Sequence, residues 1–188
     1  MDLNIDGKIA VVTGGSHGIG RATALTLASE RCQVSICARG KEQLDKTLSE
    51  LCEISPESWG SITDVTDRAA IETFIQEVAV RSGGIDTLIC NVGGSSGGET
   101  LDATDEEWMA TLDDNLLHVV RTIRAAVPHM KGREDPSIVI VSSISGWKPG
   151  PRAQYGAAKA AEIFLGMLAP LLIGIGNVSM VDRILKRE

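Results

Sequence analysis

Lys8-Ile9-Ala10-Val11-Val12-Thr13-Gly14-Gly15-Ser16-His17-Gly18-Ile19-Gly20 is the segment from which the architecture can be argued. Its first six residues form an apolar run closing on Thr13, the pattern of a buried strand. The next residues give T-G-x-x-x-G-x-G. A helix follows at once over residues 21–29, with Ala24, Leu25 and Ala28 at helical spacing. In this context each glycine has a physical reason. Gly14 permits the tight turn, Gly18 lets the backbone approach a pyrophosphate, and Gly20 allows close packing of helix on sheet. The helix N-terminus then offers unpaired N–H groups and a partial positive charge to the phosphates. Glycine clusters are common in turns; the strand before this one and the helix after it give it meaning.

Outward from this loop, apolar runs and helical patterns alternate. Residues 33–38 (QVSICA) predict a second strand and 41–51 a second helix. Residues 61–63 give at most a short third strand. Residues 67–81 are helical, with Ile71, Phe74, Ile75 and Val78 on one stripe. Residues 85–92 (IDTLICNV) predict a fourth strand. Thr104 and Glu107 form a capping-box signature, opening a helix that runs past Asn115 to about residue 126. Residues 137–142 predict a fifth strand and 154–168 a further helix. Continuous apolar strands between amphipathic helices imply a parallel sheet covered on both faces. The expected fold is α/β: a Rossmann-like, doubly wound, three-layer α/β/α domain spanning residues 1–188.

The bulk properties narrow the function. A formal net charge of −7 argues against nucleic acid or an anionic membrane surface as the main partner. It leaves room for an anionic cofactor, because local backbone dipoles bind phosphate even on an acidic protein. Cys32, Cys37, Cys52 and Cys90 form no C-x-x-C pair, and no histidine stands at a zinc-ligand spacing from them. Free thiols in a reducing compartment and no metal site are expected. Residues 1–7 show no basic stretch leading into an apolar one, which points to the cytoplasm. Residues 163–181 carry no charge, but Gly166, Pro170, Gly174, Gly176 and Asn177 interrupt them. That favours a buried helix and its irregular exit over a membrane segment.

Tyr155 and Lys159 are spaced i, i+4 on the last long helix, so both side chains share one face. An ammonium near a phenol favours the phenolate, as a tyrosine exchanging protons near neutral pH requires. Y-x-x-x-K arises often by chance, and alone it would read as a surface pair. Here Ser142-Ser143 ends the preceding strand, at the sheet edge where parallel sheets bind ligands. Together, the glycine loop, the Ser-Ser strand end and Y-x-x-x-K resemble the short-chain dehydrogenase/reductase family, over residues 6 to about 169. Asp64, in Thr63-Asp64-Val65, resembles the family's acidic motif that contacts adenine. Cys90-Asn91-Val92-Gly93 resembles its N-N-A-G turn, with Cys90 in place of the first asparagine. Asn115, seven residues after Trp108, matches the helix asparagine of the catalytic tetrad.

The resemblance implies an NAD(P)-dependent oxidoreductase that moves a hydride between nicotinamide and a carbonyl or alcohol substrate. It implies Tyr155 as proton donor and acceptor and Ser143 as the group polarising the substrate oxygen. Lys159 would assist Tyr155 and hold the nicotinamide ribose, and Asn115 would support a relay water. Ser143 opens the S-x-x-G stretch twelve residues before Tyr155; Ser142 stands thirteen before. Ser143 is preferred, because a loop loses a residue more readily than a strand changes register, and Ser142 stays open as the alternative. The implied cofactor contacts are Gly14, Ser16, His17, Gly18, Ile19 and Gly20 in the loop. Further along they are Arg39, Asp64, Val65, Asn91, Gly93, Tyr155 and Lys159. Where NAD-preferring members carry an acidic residue for the ribose 2′-hydroxyl, this chain has Ala38 and Arg39. A guanidinium suits a 2′-phosphate, so NADP is expected rather than NAD.

The helices around Asn115 and Tyr155 resemble those that pair in the family's homodimers and homotetramers. Ser95, Ser96, Trp147, Lys148 and Gln154 are candidates for the substrate pocket. After the Tyr155 helix the family adds two strands with a P-G turn. No such pattern is found here, and residues 181–188 read as a short amphipathic helix. The C-terminal strands are therefore expected to be missing. An alternative function follows: a cofactor-binding or interaction module without turnover.

Overall fold

The computed structural model describes residues 5–173 and 177–180. The central strand β1 (Ile9–Thr13) is buried throughout, as its apolar run requires. Successive side chains alternate across the sheet. Ile9 and Val11 enter one core, while Ala10 and Val12 enter the other. Parallel pairing places β2 (Gln33–Ala38) on one side of β1 and β4 (Thr87–Cys90) on the other. β3 (Trp59–Ile62) extends the sheet beyond β2, and β5 (Ser137–Ile140) extends it beyond β4. A sixth strand, β6 (Asn177–Met180), pairs parallel with β5, Ile138 opposite Val178. The order is β3-β2-β1-β4-β5-β6.

β6 narrows the expectation that the C-terminal strands are missing: one strand forms beyond β5 among the described residues. Asn177-Val178-Ser179-Met180 is too short to announce itself, and its register comes from the free edge of β5. The expected helix over 181–188 lies outside the described residues.

The helices are α1 (Gly18–Ser29), α2 (Lys41–Ile54), α3 (Arg68–Ser82), α4 (Asp105–Leu112), α5 (His118–Met130) and α6 (Ala153–Ile173). Ala24, Ala28, Leu44 and Leu51 pack on one face of the sheet. Ile71, Phe74, Ile75, Val78, Val119, Ile123 and Met130 pack on the other, with Leu165 of α6 against them. Asp67 caps α3 by accepting from the amides of Ala69 and Ala70, and Gly83 ends it in the left-handed conformation. The capping box at Thr104 and Glu107 forms as expected. The helix it opens does not run evenly to residue 126. It widens into a π-turn at Asp113–Leu117, between α4 and α5.

At the sheet edge away from the glycine loop, Asp86 joins three segments. It accepts from the Ile9 amide at 2.8 Å and from Nε and Nη2 of Arg133, both at 2.7 Å. Burial alone would raise this carboxyl, but the guanidinium and the amide outweigh it and hold it below the ordinary carboxylate value. All four cysteines are free thiols. Among the described residues no helix is long and apolar enough to cross a membrane, and no group of three or more potential metal ligands occurs.

Candidate active site

The C-terminal ends of β1, β2, β4 and β5 open on a cavity of about 680 Å³. Gly14, Ser16, His17, Gly18 and Ile19 line one end, and Arg39, Asp64 and Val65 flank it. Asn91 and Gly93 lie midway, and Tyr155 and Lys159 line the far end. Parallel strands all end on the same side, which is why residues 140 positions apart in sequence converge here.

The loop is built as its glycines require. Gly14 and Gly18 have φ of +65° and +55°. Gly20 does not line the cavity. A side chain there would overlap the carbonyl oxygen of Gly14 and come within 2.5 Å of Asn91 Nδ2. Asn91 locks the same turn: its Nδ2 donates to the carbonyls of Thr13 (3.1 Å) and Gly14 (3.3 Å), and its backbone amide donates to Thr13 Oγ1 (3.1 Å). Gly15, which the sequence pattern leaves free, is also constrained. A Cβ there would come within 2.6 Å of Ile36 on β2.

The N-terminus of α1 suits a pyrophosphate. α3 and α4 are capped by their own side chains, whereas His17 makes no side-chain cap to α1. The first turn of α1 carries no acidic residue, and the space where a Gly18 Cβ would stand is open. Uncapped amides facing a cavity are the donor set that a phosphate fits. At the mouth, Arg39 is 76% exposed, with Nη1 4.0 Å from Asp64 Oδ2. The amide and hydroxyl of Thr66 bind Asp64 Oδ1 at 3.0 and 2.7 Å. These bonds, more than Arg39, keep the Asp64 carboxyl below its ordinary value.

At the far end, Lys159 is almost wholly buried. Its Nζ donates to the Val141 carbonyl at 3.2 Å and to Glu162 Oε1 at 2.9 Å, and lies 5.8 Å from the centre of the Tyr155 ring. Asn115 sits in the π-turn, fully buried. Its Oδ1 accepts from the Gly94 amide (3.0 Å), and its Nδ2 donates to the carbonyls of Gly94 (3.0 Å) and Thr111 (2.9 Å). It thus pins the Gly93–Gly94 turn beside Lys159, and a Cβ on Gly93 would come 2.8 Å from Nζ and 2.9 Å from Asn115 Oδ1.

The two serines differ. Ser142 lines the cavity, and its hydroxyl donates to the Lys159 carbonyl at 2.9 Å. Ser143 is not on the wall; its Oγ accepts from the Ser145 amide at 3.1 Å and caps the short turn after β5. Of the pocket candidates, Ser95 and Ser96 line the cavity, whereas Trp147, Lys148 and Gln154 do not. Gln154 is buried and ties the glycine-rich loop to α6 by donating to the Gly98 carbonyl at 2.9 Å. Gln43, Thr66 and Asp114 join the lining without a sequence signal of their own. Glu162, three residues past Lys159, is a missed neighbour, although a lone carboxylate within an apolar helix was a signal.

Known proteins place the chain in a family. Residues 8–170 match the family model for short chain dehydrogenases, and the chain belongs to that family, whose members are NAD(P)-dependent oxidoreductases. It is 39% identical over 179 residues to a proposed ketoacyl reductase of the monensin polyketide synthase from Streptomyces virginiae, covering 91% of this chain and 69% of that one. An actinorhodin polyketide ketoreductase variant solved with NADPH superposes with a TM-score of 0.84 at 34% identity, covering 91% of this chain and 67% of the other. An NAD⁺-bound xylitol dehydrogenase superposes with a TM-score of 0.87 at 29% identity, covering 93% and 68%. The chain thus spans about two thirds of the length of these relatives.

Proposed function

We propose that this protein is an NADP-preferring reductase or dehydrogenase of a small carbonyl or alcohol substrate. One observation carries the reading: a single cavity has an uncapped helix N-terminus at one end and the Tyr155–Lys159 pair at the other. The loop amides of α1 would hold the pyrophosphate, and Arg39 would turn from Asp64 to the 2′-phosphate. When bound, the nicotinamide supplies or accepts the hydride. Tyr155 gives the substrate oxygen its proton in reduction and takes it back in oxidation, while the Lys159 charge favours the phenolate.

Ser143 stays our candidate to polarise the substrate oxygen, with Ser142, which alone of the two lines the cavity, as the alternative. The Ser143 oxygen only accepts a bond, so its proton stays free to donate, whereas the Ser142 proton is spent on the Lys159 carbonyl. Asn115 supports Lys159 by fixing the Gly93–Gly94 turn. The ketoacyl and polyketide reductases among the relatives make ketoacyl thioesters the first substrates to try. Met109, Phe164 and Met167, exposed on α4 and α6, favour a homodimer or homotetramer through the helices that flank the site.

The test is nicotinamide absorbance over a carbonyl panel, with Tyr155→Phe beside the parent. Turnover should vanish in the variant while NADP binding persists. Substantial turnover by Tyr155→Phe would remove Tyr155 from the reaction. NADP binding without turnover in the parent would favour the binding-module alternative.

A further inference from the structure

Glu162 is the one acidic side chain of α6, and it is completely buried. It stands at i+7 from Tyr155 and i+3 from Lys159, so the three occupy a single stripe of the helix. Its Oε1 receives the Lys159 Nζ at 2.9 Å, and its Oε2 has no hydrogen-bond partner. A carboxylate taken wholly out of water for one bond is costly unless its charge is used. Here its contact is with the group whose charge acts on Tyr155.

We propose that Glu162 is a positioning residue that aims the Lys159 ammonium at the cavity and cancels part of the positive charge facing the Tyr155 phenol. The aim follows from counting donors. Of three ammonium protons, Glu162 Oε1 and the Val141 carbonyl take two in fixed directions. The third is left on the side of Gly93, where a side chain would collide with Nζ. The cancellation follows from distance. An anion 2.9 Å from the cation opposes its field at the phenol, and in a dry interior that opposition is poorly screened. Lys159 then acts on Tyr155 as one pole of a dipole, more weakly than a lone cation.

The surroundings fit a carboxyl held at the edge of ionisation. Burial pushes Glu162 up to about 7, while the Lys159 charge, its hydrogen bond and the nearby Ser142 hydroxyl pull the other way. Across from it on β4, the buried Cys90 thiol is raised further by the Glu162 charge. His118, at the start of α5, is also buried, and neither ring nitrogen has a partner. Burial and then the Lys159 charge hold it down at about 4, so it stays neutral. Asp113 and Arg121, which also act on His118, are paired with each other at 2.6 Å. Glu162 is therefore the anion nearest the working cation.

The inference deepens the proposed role of Tyr155, but its test needs no turnover. Tyr155 is the only tyrosine of the chain, so phenolate absorbance reads this residue alone. Removing the compensating charge in Glu162→Gln should lower the midpoint of Tyr155 ionisation by about one pH unit. Glu162→Asp, which keeps the charge, should stay with the parent. An unchanged or raised midpoint in Glu162→Gln overturns the proposal, and so does an equal fall in both variants. If Glu162→Gln does not fold, carbon-labelled tyrosine in the unaltered protein decides. Its signal should show a second inflection near neutral pH from Glu162, well above any His118 step, and the absence of that inflection would overturn the proposal. Loss of activity in Tyr155→Phe is a separate result, so failure of either idea leaves the other readable.

Discussion

Gly18 and Gly20 lie two residues apart in one loop, yet alanine should harm each in a different way. At Gly20 the added methyl meets the Gly14 carbonyl oxygen and stands 2.5 Å from Asn91 Nδ2. Neither neighbour is a flexible chain end, since Asn91 is tied to Thr13 and Gly14. Overpacking of this kind costs about 1–3 kcal/mol, and loss of an Asn91 hydrogen bond adds about 1 kcal/mol. For a domain of this size that total lowers Tm by about 5–15 °C. At Gly18 nothing lies within 4 Å, so the cost is mainly the left-handed conformation at φ +55°. That is about 1 kcal/mol, or a fall of about 2–4 °C. The Gly18 methyl, however, would project in front of the uncapped amides of α1. NADP affinity should then fall at least about tenfold, or 1.4 kcal/mol. Thermal melts measure the first effect, and titration calorimetry with NADP measures the second. A Gly20→Ala protein melting within about 2 °C of the parent would refute the packing argument. Undiminished NADP affinity in Gly18→Ala would refute the placement of the phosphates.

Three further outcomes are expected. Arg39→Asp should reverse a preference for NADP over NAD, measured by paired titrations; equal affinities in the parent would contradict the role given to Arg39. His118 and Glu162 should oppose each other in the dependence of stability on pH. The His118 contribution is whole above the ordinary imidazole value of 6.5 and is lost as pH falls through about 4. The Glu162 contribution is whole below 4.5 and is lost as pH rises through about 7. Denaturation free energies of the parent should therefore be nearly flat between about pH 4.5 and 6.5. His118→Gln should expose a decline as pH rises; a decline as pH falls in that variant would refute the assignment. Finally, sedimentation should show a dimer or tetramer, and Phe164→Glu should shift it toward monomer. A well-folded parent monomer at micromolar concentration would contradict this.

The strands and helices around the glycine loop were legible because their signals are local. The β1 run, the capping box at Thr104 and the i, i+4 spacing of Tyr155 and Lys159 are each complete within a few residues. What escaped depends on partners far away. β6 has four residues and takes its register from β5. The π-turn that presents Asn115 is a detail of backbone winding with no compositional mark. Gly15 is explained only by Ile36 on the neighbouring strand, and the partner of Ser142 only by where α6 passes. Glu162 went unread, because its contact with Lys159 depends on the helix being buried along that stripe.

The Asn91 clamp bears on how the protein is made. Asn91 follows β4, and it grips Thr13 and Gly14 from 77 or 78 positions further along the chain. A nascent chain that has emerged only as far as α3 can already form β1, β2 and β3, with Gly15 seated on Ile36. One side of β1 is still bare at that moment, and the phosphate turn lacks the amide that fixes it. The closing contacts arrive together, when β4 slots beside β1 and brings Asn91 with it. Until then the glycine turn is without the Asn91 hydrogen bonds that hold it. On this topology the clamp on the glycine turn waits for one distant strand rather than for the loop's own residues.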